Sequence, residues 1–546
     1  MKRVKTVLKH SVLVSAAVVC FFAVNNIAHS SDIFKSISKN LTLMGEIYKR
    51  ISVNYVDNVD PDRFFKAGLQ GMMSTLDPYT NYIEQEDKSQ LDIITDGKYG
   101  GVGMLLMYRD NVVTVAEPPF LGTPAARAGI REGDKIIRVD SLWTRDLGFS
   151  KTSGHIRGPA GSEVVVTIRR EGEAGPLTFT LVRELIKVED LVYAGEIAPG
   201  VGYLKLTRFS RNVGMDIARA IQQMDSEHMH GIILDLRSNP GGMLTAAVDV
   251  SDLFLNRDKV IVSTRGRVKK ANRTFVSITD PVYGEKPLII LVNRFSASAS
   301  EIVAGAVQDH DRGIVIGDTT FGKGLVQTLF PLSRDSAVKI TTAKYYTPSG
   351  RCIQRQNYSS WDSVVADTST GFATDNGRAV TAGGGIAPDV YMAPRLVSDY
   401  VVALRRQSLF FNFAVKYANS TQQMDSSATI TDAIIDTFKS YMEEKSFEYT
   451  LPIEKQLDLL RESAESKNLG DGLISDIDEL RVSLDDAKEK LFNQSVNDIK
   501  LLLRQEMASK LFGRKKSVEI AAEYDPVVKR AIEIISNTNE YNALLK

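Results

Sequence analysis

The chain has 546 residues, 43% of them hydrophobic and 25% charged, which is typical of a soluble protein of about three domains and excludes a wholly disordered chain. Lysine plus arginine and aspartate plus glutamate both number 67, so the net charge is zero. Such a chain has no general attraction to nucleic acid or to an anionic membrane, and its partners have to be inferred from local features.

The first 30 residues have the layout of a signal peptide. Basic residues precede an apolar run over residues 12–24, which is short for a membrane span, and small residues follow, so cleavage is predicted after Ser30. The alternative is an uncleaved anchor that keeps the N-terminus associated with a membrane. Both interpretations predict an exported chain, either periplasmic or membrane-anchored and facing the periplasm. Without the signal peptide only Cys352 remains, so no intrachain disulfide is expected.

Changes of pattern divide the rest of the chain into four parts. Residues 31–90 carry apolar side chains at helical spacing and predict a helical N-terminal domain. Residues 91–185 are short β-rich runs between glycine-rich turns, which indicates a compact, mainly β module. In residues 186–395 strands and helices alternate, which predicts an α/β core with strands buried on both faces. Residues 396–546 are charge-rich with one-sided apolar stripes and predict a helical C-terminal domain.

A serine-rich segment around Ser298 follows the apolar strand predicted at residues 287–292 and opens a helix. A junction of this kind turns a side chain outward and points backbone N–H groups at one spot, which suits an acyl-transfer nucleophile. Ser298 and Glu301 also match a capping box, so the serine could instead only cap the helix.

Lys323 is flanked by glycines farther along the chain. Residues 317–323 match the Gly-x-x-x-x-Gly-Lys pattern of a phosphate-binding loop, but Gly324 stands where that loop needs Ser or Thr, and residues 325–331 read as a strand. A lysine amine that is withdrawn from water can be neutral and accept a serine proton, so Lys323 is the candidate base. Gln327 is the candidate for orienting its amine. The alternative is a solvated surface lysine.

A third segment, residues 235–242, ends a buried strand with a turn that bares backbone N–H groups. The N–H groups of Gly241 and Gly242, together with that of Ala299, are predicted to stabilise an oxyanion. A plain strand-terminating turn is the alternative. The histidines that remain after signal removal lie outside any glycine-rich turn, so a Ser-His-Asp triad is not expected.

Together the three segments resemble the C-terminal processing, or tail-specific, peptidases. The resemblance covers roughly residues 40–395, and the turn departs from the family pattern only at Ser238. It implies an exported serine endopeptidase that cleaves proteins near their C-termini, with Ser298 as nucleophile, Lys323 as general base and Gln327 in support. It further implies an α/β multi-domain fold with a crotonase-like ββα core, no metal or organic cofactor, and a homodimer.

The β module resembles the PDZ domain that this family carries before its core. Residues 99–103 can bend so that successive N–H groups form a nest for a terminal carboxylate, while the peptide adds as an extra strand. The predicted carboxylate-binding residues are Gly100, Gly101, Val102 and Gly103. Protein or peptide C-termini are therefore the expected partners.

Two questions stay open at this stage. The helical tail could support assembly, enclose the substrate or recruit an adaptor protein. A rival of another class is a non-catalytic PDZ scaffold or adaptor in the periplasm, which would hold partners without cleaving them.

Overall fold

The computed structural model describes residues 33–83, 97–224, 228–332, 336–355, 371–420, 425 and 427–546. The predicted signal peptide, residues 1–30, lies outside the described residues. The chain divides after Tyr82 into an N-terminal unit and a second unit that carries the rest, and the short strand β1 (Asn81–Ile83) spans this division. Among the described residues, every helix is too short or too polar to cross a membrane.

The described N-terminal unit is mainly helical, as the apolar spacing predicts. Helix α1 covers residues 33–54, and α2 covers Pro61–Ser74. The Asp60 carboxylate accepts hydrogen bonds from the first N–H groups of α2, which is why this helix begins there. The Tyr48 ring stacks on Phe64 with 5.6 Å between centroids, so an aromatic contact joins the two helices.

The β module has its own hydrophobic core and confirms the predicted PDZ-like organisation. Its main sheet has the order β3-β4-β5-β7-β8 with β6 added to β5, and β2 pairs separately with β9. Val113, Val115 and Ile136 point into its core and are fully buried. The strands are β2 (Lys98–Gly101), β3 (Leu106–Arg109), β4 (Val112–Val115), β5 (Lys135–Val139), β6 (Leu142–Trp143), β7 (Glu163–Arg169), β8 (Leu177–Val182) and β9 (Glu184–Lys187), and the helices are α3 (Pro124–Arg127) and α4 (Thr144–Ile156).

The α/β core is built on a mostly parallel sheet, as the alternating pattern predicts. Its order is β10-β11-β12-β15-β16-β21, with only the edge strand β10 antiparallel to its neighbour. Every residue of β12, β15 and β16 is buried, which explains their continuous apolar sequences. The strands are β10 (Leu191–Ala198), β11 (Val201–Leu206), β12 (Gly231–Asp235), β15 (Leu288–Val292), β16 (Ile314–Gly317) and β21 (Val390–Tyr391).

A second, antiparallel sheet lies beside this core. It pairs β13 with both β14 and β18, and β18 with β17. Four of its strands are β13 (Val260–Arg265), β14 (Arg273–Val276), β17 (Leu325–Pro331) and β18 (Ala337–Tyr346), and a small hairpin of β19 (Phe372–Ala373) and β20 (Ala379–Val380) follows.

Helices cover both faces of the parallel sheet. On one face, α5 (Val213–Gln223), α6 (Leu244–Asp252) and α7 (Ala299–Asp309) share one apolar cluster with the strands. On the other face, Val528 and Ile534 near the end of the chain pack with the strand residues Ile233 and Leu291. The last helices therefore complete the α/β core.

The C-terminal region is helical, as predicted, and takes part in two large hydrophobic cores. Its earlier helices share a cluster that includes Phe410, Phe413, Phe438 and Leu503, whereas the last ones pack on the parallel sheet. The helices are α8 (Asp399–Arg406), α9 (Leu409–Ser420), α10 (Asp432–Glu444), α11 (Pro452–Ser466), α12 (Asp471–Gln494), α13 (Val496–Phe512), α14 (Arg514–Tyr524), α15 (Pro526–Ser536) and α16 (Thr538–Leu544).

Candidate active site

Three loops meet at one edge of the parallel sheet. They follow the neighbouring strands β12, β15 and β16, and they are named here the turn (residues 236–242), the serine loop (293–298) and the lysine loop (318–324). Carboxyl ends of parallel strands lie at the same edge, where α/β proteins commonly place their sites. Backbone hydrogen bonds connect the serine loop to both of the others. The fold thus brings together the three segments singled out in the sequence.

Ser298 is the N-cap residue of α7 and has an unusual backbone conformation. Its φ is 56° and its ψ is −112°, a combination that costs of order 1–3 kcal/mol in a residue other than glycine. Three donors hold its carbonyl oxygen: the Tyr345 hydroxyl at 3.2 Å, the Glu301 N–H at 2.9 Å and the Ile302 N–H at 3.0 Å. The Ser298 residue is half-buried. Ser298 is thus at the predicted cap position, and the Glu301 half of the capping box is formed by the hydrogen bond that its carboxylate accepts from Ser298 N–H.

The Glu301 carboxylate joins the serine loop to the lysine loop. Its Oε2 accepts hydrogen bonds from Ser298 N–H at 2.7 Å and from Lys323 N–H at 3.0 Å. Its Oε1 accepts from Gly322 N–H at 2.7 Å and from Thr320 Oγ1 at 2.6 Å. Burial raises the pKa of Glu301, and these hydrogen bonds oppose the rise. The two loops are therefore positioned by one fully buried side chain.

Lys323 and Gln327 lie on either side of the start of β17. The Lys323 side chain is half-buried in the lysine loop. Gln327, also half-buried, lies within β17, and its Nε2 donates to Thr341 Oγ1 at 3.4 Å. The segment that follows Lys323 is a strand, as predicted, and not the helix that a phosphate-binding loop requires.

Asn239 attaches the turn to the serine loop. Its buried side chain accepts a hydrogen bond from Gly241 N–H at 2.9 Å. Its carbonyl oxygen accepts from Ala297 N–H at 3.0 Å and from Ser300 Oγ at 2.9 Å. The Gly241 N–H is therefore already used within the turn in this structure, which differs from the donor role predicted for it.

Gly241 and Gly242 lie beside the start of α7. A Cβ at Gly241 would stand 2.9 Å from both Ser298 Cβ and Ala299 N, so only glycine allows this approach. Phe209 N–H donates to Gly241 O at 3.0 Å in an isolated parallel bridge that holds Gly242 in place. The turn, the predicted nucleophile and the N–H of Ala299 are thus close neighbours.

A buried cluster of charges lies beneath the turn. Asp235, the last residue of β12, is fully buried between Arg237 and Lys205, at 2.7 and 3.0 Å. Burial alone would raise its pKa, but Arg237 and Lys205 together hold the pKa of Asp235 below its usual range. Arg237 also pairs at 2.7 Å with Asp525, whose carboxylate caps α15. This cluster ties the turn to the last helices of the chain.

A groove of about 500 Å³ extends between the β module and the α/β core. Met104, Leu106 and Ile156 of the module line it on one side, and Pro240 of the turn lines it on the other. An apolar groove that reaches from a PDZ-like module to the turn suits an extended peptide.

The four predicted carboxylate-binding residues lie near this groove but not in one loop. Gly100 and Gly101 belong to β2, whereas Val102 and Gly103 follow it. Gly103 has φ 82°, and a Cβ there would stand 2.3 Å from Thr123 side-chain atoms, so the bend requires glycine.

Several residues of the site were missed or underestimated in the sequence. The capping-box pattern marks Glu301, but it gives no sign that the carboxylate also binds the lysine loop. Tyr345 belongs to a stretch that resembles the family, but no local pattern predicts its hydrogen bond to Ser298, which joins residues 47 positions apart. Met104 was not singled out because an apolar residue after a glycine turn is also typical of a core.

Comparison with known families gives four matches along the chain. Residues 200–360 match Peptidase family S41, and residues 121–170 match a PDZ domain. Residues 16–87 match the N-terminal domain of the activating protease CtpB, and residues 400–535 match the C-terminal helical domain of a probable PDZ-protease.

Curated relatives are similar over more than half of the chain. A carboxy-terminal-processing protease of Bartonella bacilliformis is 40% identical over 320 residues, which are 58% of this chain and 73% of that protein. A carboxyl-terminal-processing protease of Synechocystis is 35% identical over 296 residues, 53% of this chain and 68% of the relative. The carboxy-terminal processing protease CtpB of Bacillus subtilis is 32% identical over 323 residues, 58% of this chain and 66% of the relative.

Proposed function

We propose, since this chain belongs to the carboxy-terminal-processing proteases of peptidase family S41 and is a serine-type peptidase, that Ser298 is its nucleophile and Lys323 its general base. The observation that carries the proposal is the single Glu301 oxygen that accepts the backbone N–H groups of both residues, at 2.7 and 3.0 Å. A strained backbone at the start of a helix supports the nucleophile role, because it exposes the hydroxyl beside helix N–H groups.

In the proposed reaction, Ser298 Oγ attacks the carbonyl carbon of the scissile peptide bond while the neutral Lys323 amine takes the hydroxyl proton. The N–H groups of Ala299 and Gly242 stabilise the oxyanion, and Gly241 supplies the space for their approach. The lysine then gives the proton to the leaving amine, and an ester links the acyl group to Ser298. Water hydrolyses this ester by the same proton path. Gln327 accepts a hydrogen bond from the Lys323 amine through its Oε1.

The PDZ-like module is proposed to bind the free C-terminus of the substrate. The terminal carboxylate binds at residues 100–103, and the preceding residues lie in the groove that leads to Pro240 of the turn. Cleavage then occurs near the C-terminus because the same chain end occupies the module and the active site. The bent glycine at position 103 supports this assignment.

The test is the replacement of Ser298 or Lys323 by Ala. Either variant should fold as the wild type does, by circular dichroism, and lose at least about 1,000-fold in cleavage of β-casein, since each group is needed in the same step. Lys339→Ala on the neighbouring strand β18 is the matched control and should keep full activity. Cleavage by S298A or K323A at the wild-type rate would refute the assignment.

Export to the periplasm, recruitment of an adaptor and formation of a homodimer complete the proposed function. The charge and apolar pattern of residues 1–30 supports export. N-terminal sequencing of the protein from a periplasmic fraction should place the first residue after Ser30. Sedimentation of the same material should give twice the mass of one chain, and a monomer alone would contradict the dimer.

A further inference from the structure

The PDZ-like module is in direct contact with the C-terminal helical domain. Gly133 of the module lies against Val415 of α9, where a Cβ on the glycine would stand 2.8 Å from Val415 Cγ1. Asn412, also on α9, donates to the Asp110 carboxylate at 3.3 Å. Val415 is 8% exposed, so this contact excludes water from part of the interface. The module is thus held by the helical domain as well as by its chain connections to the core.

A buried ion pair lies at the centre of this interface. Glu132 of the module accepts a hydrogen bond from Lys510 Nζ of α13 at 2.9 Å, and the two side chains are 7% and 3% exposed. Lys510 also binds Glu506 at 2.9 Å. Its ammonium lies 4.2 Å from the centre of the Phe411 ring, and the Arg109 guanidinium of the module lies 3.9 Å from the same ring. Charged side chains of both domains therefore lie close together around Phe411, and the Glu132–Lys510 pair among them is buried from water.

The charge balance of this interface depends on pH. Glu132 Oε2 is buried without a hydrogen-bond partner among the described residues. Burial raises the pKa of Glu132 to about 7, even though the Lys510 ammonium lowers it, and the carboxylates of Glu506 and Glu117 add to the rise. The Arg109 guanidinium also interacts with Glu132, Glu506 and Asp110.

The same interface borders the proposed substrate groove. Arg514, the first residue of α14, lies 3.6 Å from the Glu117 carboxylate of the module. Arg514 also lines the groove, together with Pro240 of the turn. The helical domain thus contributes Arg514 to the lining of the groove while it holds the module.

We propose that Glu132 and Lys510 form a separable latch, through which the C-terminal helical domain holds the PDZ-like module against the core and so assembles the substrate groove. Closing the latch positions Arg514 at the groove, and opening it frees the module from α9 and α13. The role in substrate binding rests on the proposed function, whereas the opening itself does not.

The direction of the pH effect follows from linkage. Because the closed latch raises the pKa of Glu132 from its ordinary range to about 7, the closed state binds a proton more tightly than the open one. The closed state is therefore most stable at low pH, and it becomes less stable relative to the open state as the pH rises toward and through 7. Between pH 6 and pH 8 the opening equilibrium should increase about tenfold.

Opening can be measured in the full-length chain by thiol labelling of a Val415→Cys variant. The rate of maleimide labelling at residue 415, read by peptide mass spectrometry and divided by that of a free thiol at the same pH, reports how often the latch opens. Wild-type Glu132 and Lys510 should give the tenfold increase between pH 6 and pH 8. Glu132→Gln should remove most of this increase and keep the latch closed, because Gln is neutral and Lys510 retains Glu506, while burial also raises the pKa of Glu117 nearby.

Lys510→Met tests the pair itself. It leaves Glu132 buried without its cation, so labelling at pH 8 should increase at least about tenfold, and adding Glu132→Gln should reverse most of that increase. Lys500→Met is the matched control, since Lys500 lies on the same helix but pairs with Asp432, whose side chain is 91% exposed. Circular dichroism establishes that each variant is folded.

The outcomes separate the latch from the proposed function. Equal labelling of wild type and Lys510→Met, or an unchanged pH response in Glu132→Gln, would refute the latch. The expected labelling pattern together with an unchanged KM for β-casein in Lys510→Met would refute its role in the groove. Labelling needs no turnover, so these results stand whether or not Ser298 proves to be the nucleophile.

Discussion

Two backbone N–H groups from different loops, those of Ser298 and Lys323, donate to one oxygen of Glu301. The other oxygen takes two further donors of the lysine loop. A carboxylate can accept all of these hydrogen bonds at once, whereas an amide offers only one accepting atom. The relative position of the two loops therefore depends on the charge and the shape of this side chain.

Glu301→Gln tests whether the two loops depend on this carboxylate. The new NH2 group would face donors, so at least one loop should shift and kcat should fall about 100-fold, with a smaller change in KM. Steady-state kinetics on β-casein measure both constants. Glu454→Gln is the matched control, because Glu454 accepts Leu451 N–H at 2.7 Å in the same capping geometry at α11. Equal losses in the two variants would indicate a merely structural role for Glu301.

Ser298 and Lys323 could be singled out in the sequence because glycine and serine patterns surround them. Glu301 could be identified only as a capping residue. Its hydrogen bonds to the lysine loop form because β15 and β16 are neighbours in the sheet, and the local sequence around Glu301 does not show that neighbourhood. The use of Gly241 N–H by Asn239 is an Asx turn, in which an Asn side chain accepts the N–H two residues on, so Asn239 was the one signal in the sequence that this N–H is occupied.

At the scale of strands and helices, the charged cluster at the end of β12 connects the turn to α15. Asp235 balances Arg237 and Lys205 inside the protein, and Arg237 reaches the N-cap Asp525. Removal of one member of such a cluster leaves charge buried without compensation, which costs more than the loss of a surface pair.

Asp235→Asn should therefore lower the free energy of unfolding by about 3–5 kcal/mol in urea at neutral pH. Because the pKa of Asp235 is held low, the ionised carboxylate stabilises the folded chain at every pH above the ordinary aspartate pKa. This stabilisation is lost as the pH falls through the lowered pKa, so acidification should destabilise the variant less than the wild type. Asp280→Asn is the control, since Asp280 is 82% exposed and 3.6 Å from Arg257. A change below about 1 kcal/mol in Asp235→Asn would contradict this account.

The strands themselves could be predicted from their composition. Continuous apolar runs such as β12 and β15 indicate burial on both faces, and the structure confirms it. The order β10-β11-β12-β15-β16-β21 could not be predicted, because two strands of another sheet, β13 and β14, intervene along the chain. The spacing of apolar residues describes one strand or helix at a time and carries no information on which other strand it pairs with.

For the whole molecule, the last helices of the chain are part of the α/β core. The apolar stripes of residues 396–546 predicted that helical faces are buried, but not that the final ones face the parallel sheet. Tyr541 of α16 adds a hydrogen bond to this contact. Its hydroxyl accepts a hydrogen bond from the N–H of Leu288, the first residue of β15, at 2.9 Å.

Tyr541→Phe should destabilise the chain by about 1–3 kcal/mol, because the buried Leu288 N–H loses its acceptor. Urea unfolding followed by circular dichroism measures the change. Tyr524→Phe removes a hydroxyl that accepts a hydrogen bond from Arg504 at the surface, where the ring is 46% exposed, and should change stability by less than about 0.5 kcal/mol. If both variants unfold at the same urea concentration, the contact with β15 contributes nothing.

The coverage of the parallel sheet by α14–α16 also sets an order of events during synthesis. A ribosome translates Ser298 and Lys323 long before it reaches Tyr541, and until then one face of their sheet has nothing to bury against. The sheet that carries both loops is therefore incompletely buried in a nascent chain that already contains both residues. We expect the proposed active site to form only after the final helices have emerged and docked, because its loops follow strands of this sheet.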